Sequence, residues 1–559
     1  MDTAKHAAPN NGSNNNTTSS FTIIKRSNTM KQSNVLRRGM SALVALVLLV
    51  GMAMGQNDFV IVSGGSISNS GTIKVKGNIT NSGVAGATTI AGTVQLKANA
   101  AQSIGTASNG AINFSTLTIP ASGGNTKTFN VNSTVAAAID IAASAGANSS
   151  YSLGSNTLTL QGTIANTGGA TTPYVFSSGT VDYNGADDQT VWGSSGFTYG
   201  SLTVSQNGDK TMNGDITVST ALSVSAGNLS IGANTLTVNG TYSISDSITG
   251  SASSNMVLGG TGNIASFIVY GGLGDLTLNR DTYNVTLGDA LTVNGALALN
   301  NGTLAVSTQT LTLLGAVTAA GSGALSSATT GTVAYNKGTN VQAVLAANYG
   351  NLTFSNFTKT LPSGTVGVAG TFTPGSATGH TITGNTFDFN GGTQTIPAFN
   401  AGTGYQNLFT SGAASEKTAS GSLEIAGNFD NGGGSDNAVT LVMGLNSLTI
   451  GGTKDNTAST IKFAGASNGQ LFTTGTIDYN GTVTQTIAGG GDYSTLALSG
   501  SGTKQIASGV TVGANNSLTV PTGVTLQLVD GTSVLNLKTT ASLTVEGTLT
   551  NAGTIDVGN

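Results

Sequence analysis

Apolar residues alternate with small polar ones along this chain, but only in very short runs. Leu202-Thr203-Val204, Leu222-Ser223-Val224, Leu229-Ser230-Ile231 and Leu236-Thr237-Val238 each carry the period-two pattern of a strand with one buried face. Gly, Asn or Ser cuts every run. Helical periodicity is absent from this part of the chain, apart from short Ala-rich patches such as Val135 to Ala145. Strands this brief cannot form an ordinary sandwich. They can form the coils of a parallel β-helix, in which each coil covers its apolar face against the coils on either side.

The runs belong to a longer phrase that recurs. It opens Gly-Thr-[Val/Ile]-x-Tyr-Asn, continues to a Gln followed by Thr or Ala, then a Tyr, then Leu-[Thr/Ala]-aliphatic. Copies begin at Gly179, Gly331, Asn385 and Gly475, with a weaker one at Gly92. A degenerate copy near Asn255 keeps Tyr270 and Leu276-Thr277-Leu278 but loses the Gln. A lysine follows each complete copy: Lys127, Lys210, Lys359, Lys417 and Lys504. The irregular spacing excludes the fixed short periods of leucine-rich, ankyrin and hexapeptide repeats. Asp58 to Val84 and Leu543 to Val557 share an Asn-x-Gly-Thr-Ile core, so the same grammar runs from one end of residues 56–559 to the other. At ~20–25 residues per coil this segment predicts roughly 20–25 coils, a rod on the order of 100 Å. Because the grammar is still running at Asn559, truncation of a longer chain is expected, or ends that associate with one another.

Composition narrows the class. Only 8% of residues are charged, and 81 glycines without a triplet period beside seven prolines exclude collagen. The 38% apolar content, arranged in alternation, argues against disorder. With no cysteine there is no disulfide, thiolate metal site or cysteine nucleophile. Lys31, Arg37 and Arg38 precede an apolar run from Ala42 to Val50 and a small-residue site, Ala53-Met54-Gly55. Residues 30–55 therefore read as a secretory signal. Residues 1–29 read as a structureless polar tail or as sequence upstream of the true start. Residues 1–55 hold six of the 19 bases and one of the 23 acids, so 13 bases and 22 acids remain. The remaining bases include a single arginine, Arg280, and do not cluster, so nucleic acid is not expected as a partner.

Candidate chemistry is thin. His6 and His380 cannot make a triad or a metal pair, and His380 reads as a turn residue. Asp182, Asp388 and Asp478 share one repeat position, which spreads them over distant coils, whereas glycosidic chemistry wants two acids within ~5–10 Å. Asp187 and Asp188 read as solvated turn residues. The segment Asp430 to Asn437 fits no calcium-loop spacing. Thr residues alternate too irregularly for a flat ice-binding lattice. No catalytic, metal or cofactor residue is assigned. The repeated Tyr-Asn and Gln read first as structural, with Asn at left-handed corners and Gln bonding between coils. The lysines read as edge charges that block lateral pairing. As surface contacts the candidates are Tyr183, Gln189, Trp192, Tyr335, Gln342, Tyr479 and Gln485.

The phrases Leu236-Thr237-Val238-Asn239-Gly240 and Leu291-Thr292-Val293-Asn294-Gly295, with the Asn-x-Gly-Thr-Ile ends, resemble secreted bacterial β-helix surface proteins. These are the filamentous-haemagglutinin-like and autotransporter-passenger adhesins, and the repetitive surface proteins of gliding and biofilm-forming bacteria. The resemblance covers about residues 58–559. It implies a right-handed parallel β-helix, secreted or held at the cell surface, working in adhesion or in envelope and biofilm architecture rather than catalysis. The partners it implies are cell-surface glycans or proteins, or matrix polysaccharide, with no membrane span after the signal. Two further readings stay open: a polysaccharide lyase or hydrolase on the same scaffold, and a self-assembling sheath subunit.

Overall fold

The computed structural model describes residues 58–558 except 63–65, 83–85, 97–100, 108, 121–125, 143–149, 166–174, 340, 356, 433–438, 445, 447, 453, 456–459, 464–475, 480–481, 488, 490 and 494. The tail, the signal and most of the glycine loop after Asn431 lie outside the described residues.

The described residues form strands, turns and loops with no helix. The Ala-rich patch that departed from the strand pattern contributes to the strand Ser133–Ala142. The fold is a parallel β-solenoid of about 20 turns, and the chain divides into two compact units, Met1–Gly208 and Asp209–Asn559.

In the first unit, strands Thr88–Leu96, Ile112–Pro120 and Ser133–Ala142 pair in parallel, each bonded to its counterpart one turn later. This register stacks like on like. Ile90, Phe114, Val135, Leu160, Tyr183 and Val204 form one inward column and are each no more than 1% exposed. One residue back on the same strands, Thr89, Asn113, Thr134, Thr159, Asp182 and Thr203 form an outward column. Period two in the sequence has become inside and outside.

The second unit repeats the device. Leu236, Met256, Leu276, Leu297 and Val317 stack in one column, and Val238, Leu258, Leu278 and Leu299 in the next along. Further on, Leu291, Leu311, Val333, Leu352 and Phe372 do the same. Burial of one such side chain is worth about 1.5–3 kcal/mol, so a strand of a few residues gains enough only because it is covered from two sides. Strand starts are tied together by short acidic and amide side chains. Asp215 Oδ1 accepts the Thr235 N–H at 2.7 Å, Asn255 Oδ1 that of Asp275 at 2.9 Å, and Asp275 Oδ1 that of Ala296 at 2.6 Å.

The described asparagines of the repeat phrase do not occupy left-handed corners, and Asn480 lies outside the described residues. The backbone N–H groups of Asn184, Asn336 and Asn390 continue the ladder to Leu160, Leu313 and Val368. Glycine takes the positive-φ positions instead, as at Gly179, with φ near 75°. A Cβ built there would lie 2.4 Å from the Asn156 carbonyl oxygen, so the turns approach more closely than any side chain allows. Among the described residues only Asp281, Ser307 and Asn400 adopt such a φ without being glycine.

Candidate functional site

The residues that recur once per repeat converge inside the solenoid. At the end of an inner strand the last ladder carbonyl still accepts an asparagine N–H from the next turn, as Leu160, Leu313 and Val368 do, and a glycine carbonyl two residues on turns inward beside it. The repeat glutamine of the following turn donates both amide hydrogens to them. Gln189 bonds Leu160 and Gly162, Gln342 bonds Leu313 and Gly315, Gln394 bonds Val368 and Gly370, and Gln485 bonds Ile450 and Gly452. The weaker first copy does the same from Gln102 to Val75 and Gly77. The glutamine oxygen meanwhile accepts a loop N–H, from Gly185, Lys337 or Gly391. An unpaired buried carbonyl is costly, so one side chain that closes three backbone groups holds each excursion in place.

The aromatic pair forms a second closure. Tyr183 and Tyr199 meet through their hydroxyls at 2.9 Å, Tyr335 and Tyr349 at 2.8 Å, and Tyr479 and Tyr493 at 3.1 Å. In the first two pairs one residue serves both rings. Trp192 donates its N–H to Tyr183 and accepts from Tyr199, and Leu345 does the same for Tyr335 and Tyr349. The copy at Asn385 shows the logic in reverse. Residue 397 is proline, which has no N–H to give, and the first ring is Phe389, which has no hydroxyl to receive one. Tyr405 alone remains and donates to the Pro397 carbonyl at 2.7 Å.

The lysines complete the set. Lys127, Lys210, Lys359, Lys417 and Lys504 are no more than 1% exposed. Gln102 and Lys127, Gln342 and Lys359, Gln394 and Lys417, and Gln485 and Lys504 are register partners on adjacent turns. Neutral oxygens hold the ammonium groups: Lys127 Nζ lies 2.8 Å from Gln102 Oε1, and Lys359 Nζ donates to Ser355 Oγ and the Phe357 carbonyl. Burial pulls Lys127, Lys359 and Lys417 down to about 8, and at Lys417 the Asp388 carboxylate opposes the shift. In the degenerate copy, where the glutamine is missing, Arg280 spans the gap. It is 1% exposed and donates to the carbonyls of Gly240, Gly259, Thr261 and Gly262.

Three expectations are corrected by this geometry. Tyr183, Tyr335, Tyr479, Gln189, Gln342 and Gln485 are at most 5% exposed, because their polar atoms are needed by the backbone, and they are not surface contacts. Trp192, by contrast, keeps a partly exposed side chain while its backbone joins the tyrosine closure. The lysines do not guard an edge, since they lie within the core. His380 is no exposed turn residue either. It stacks on Phe399 with ring centroids 5.0 Å apart, and its Nδ1 accepts the Lys359 N–H. Burial lowers its pKa, and nearby Lys359 adds to the effect.

Asp182, Asp187, Asp188 and Asp388 stay outside the core, and the Asp478 side chain lies outside what the structure describes. Asp187 and Asp188 are exposed. Asp182 is held by the Ser205 hydroxyl at 2.6 Å, and Asp388 by the Ser411 hydroxyl at 2.7 Å, each from the next turn. Burial raises the pKa of both carboxyls and the serine bonds oppose it. A shallow hollow borders Pro374, Thr378, Phe399, Asn400 and Glu424, but the Glu424 carboxylate already accepts the Gly402 N–H. Among the described residues no group of three or more His, Asp or Glu could hold a metal ion. No helix there is long and apolar enough to cross a membrane.

No known family, curated protein or solved structure matches this chain. Its description as a β-helix repeat protein rests on the strand register and the repeat phrase.

Two expected outcomes follow from the buried groups. Phe389→Tyr should cost about 1–3 kcal/mol by burying a hydroxyl opposite Pro397, and Pro397→Leu added to it should restore much of that loss. Urea unfolding of the three variants checks this, and additive losses would contradict it. The second outcome concerns pH. Folding lowers Lys359 from 10.5 to about 8, so above pH 8 the folded chain sheds that proton first and stability rises with pH. Burial raises Tyr183 and Tyr335 from 10.0 to about 12, so above pH 10 the unfolded chain ionises first and stability falls. The thermal midpoint should therefore climb from about pH 8 to pH 10 and then drop, whereas a steady decline from neutrality would contradict the lysine assignment.

Proposed function

We propose that this chain is an exported structural β-solenoid that acts at the cell surface or in the extracellular matrix, holding neighbouring glycans or matrix polysaccharide by many weak contacts. The observation that carries the proposal is the outward column of the first unit, Thr89, Asn113, Thr134, Thr159, Asp182 and Thr203, in register over consecutive turns. Hydroxyls and amides repeated at the strand spacing of about 4.8 Å suit a polyhydroxylated chain, and many such contacts in series give avidity without a deep pocket. Burial of the five repeat lysines and Arg280 leaves the other described lysines scattered on the outside, which favours a neutral partner over nucleic acid. The signal-like segment 30–55 supports export, and the adhesin resemblance of the repeats supports the surface role. On this reading no catalysis is involved.

The test combines location and binding. The chain should be recovered outside the cell with Gln56 as its first residue, and purified full-length chain should co-sediment with matrix polysaccharide from the producing cells. Thr134→Glu with Thr159→Glu should weaken that retention severalfold, while Asp187→Ala with Asp188→Ala should leave it unchanged. Recovery only from the cytoplasm would overturn the proposal. So would polysaccharide cleavage abolished by the Asp187 and Asp188 changes, which would favour an enzyme.

A further inference from the structure

The contact between Lys417 and Gln394 has the parts of an acyl-transfer site. Lys417 Nζ lies 2.6 Å from Gln394 Oε1 and donates to the Gly391 and Gly392 carbonyls, both at 2.7 Å. The carboxamide cannot turn away, because Nε2 is fixed by the Val368 and Gly370 carbonyls at 2.8 Å each. Its oxygen also receives the Gly391 N–H at 2.9 Å, so the carbonyl is polarised by a backbone donor. Lys417 is 0% and Gln394 6% exposed, which keeps water from competing as a nucleophile. A fixed amine, a fixed acyl group and an oxyanion donor in a dry site are the conditions under which amide exchange becomes intramolecular.

We propose that Lys417 and Gln394 join in an intramolecular isopeptide bond, and that Lys127 and Gln102, in contact at 2.8 Å, form a second. The unprotonated Nζ attacks Cδ of the glutamine, and the Gly391 N–H stabilises the tetrahedral oxyanion. The Cδ–Nε2 bond breaks as a proton passes from Nζ to Nε2, and ammonia leaves. Atoms and charge balance with no oxidant or second substrate. With burial holding Lys417 at about 8, a fraction of the amine is free near neutral pH. The chain carries its own control. Lys359 Nζ is directed to Ser355 and Phe357, and the Gln342 oxygen receives the Lys337 N–H, so this register pair stays unlinked. Each bond staples one turn to the next, and the inference stands apart from the proposed surface role.

Intact mass spectrometry of the full-length chain tests it. Each bond lowers the mass by about 17 Da, the loss of one ammonia. A tryptic digest should contain branched peptides joining Gln394 to Lys417 and Gln102 to Lys127, and none joining Gln342 to Lys359. Lys417→Met should abolish the first branched peptide and leave the second. Linear peptides with free Gln394 and free Lys417 overturn the proposal, and so does an ammonia loss that maps only to an N-terminal glutamine.

Discussion

The structure depends on one constraint: wherever a turn leaves its parallel ladder, the carbonyls it abandons must find donors inside the core. Strand runs of three or four residues satisfy themselves by stacking, since each backbone group meets its counterpart one turn away. The loops between runs have no such counterpart. One glutamine per repeat supplies two donors, from Gln102 to Gln485, and at Gln189, Gln342 and Gln394 its oxygen also accepts a loop N–H. The glycine beneath each glutamine follows from the same demand. A Cβ at Gly162 would sit 1.6 Å from the Ala137 carbonyl oxygen, and one at Gly315 would sit 1.7 Å from that of Gly295. The close approach that brings the carbonyls within reach of the amide also forbids a side chain.

The fold was legible in the sequence because its signal is local. Period two in Leu236-Thr237-Val238 and the turn residues after it decide which side of a strand faces inward, and stacking is the only partner left for strands so short. The site was legible as a pattern of recurrence and not as a location. Tyr183, Gln189 and Lys210 were visible as repeated, but burial of a polar side chain depends on which carbonyls the turn above leaves open. That information is tertiary. Exposure was the natural expectation for lysine and glutamine, and the backbone overrode it. One clue was available in the sequence alone: the copy at Asn385 exchanges Tyr for Phe389 where it places Pro397, which ties that ring to a backbone N–H. Arg280 gave no comparable clue, since its role appears only where Gly240, Gly259 and Thr261 are brought together.

With the recurring tyrosines, glutamines and lysines turned inward, the outside is left mainly to threonine, serine, asparagine and scattered charges. The proposed surface role draws on repetition of such a modest surface. Turning those side chains inward also bears on durability. Each repeat contacts only its neighbours, so the array resists unfolding to the extent that neighbouring turns are tied together. Glutamine, paired tyrosines and buried lysine tie each loop as well as each strand.

Parallel stacking in this register is the claim on which everything else rests, and the absence of native cysteine makes it directly measurable. Thr310 pairs with Thr332 and Thr312 with Ala334 on adjacent turns, at the strand positions that alternate with the core residues Leu311 and Val333. Cysteine pairs introduced two at a time at these positions should oxidise to disulfides as 310–332 and as 312–334, but not as 310–334 or 312–332. Crosslinking in the second set and not the first would mean antiparallel hairpins, and would contradict the solenoid together with the closures built on it.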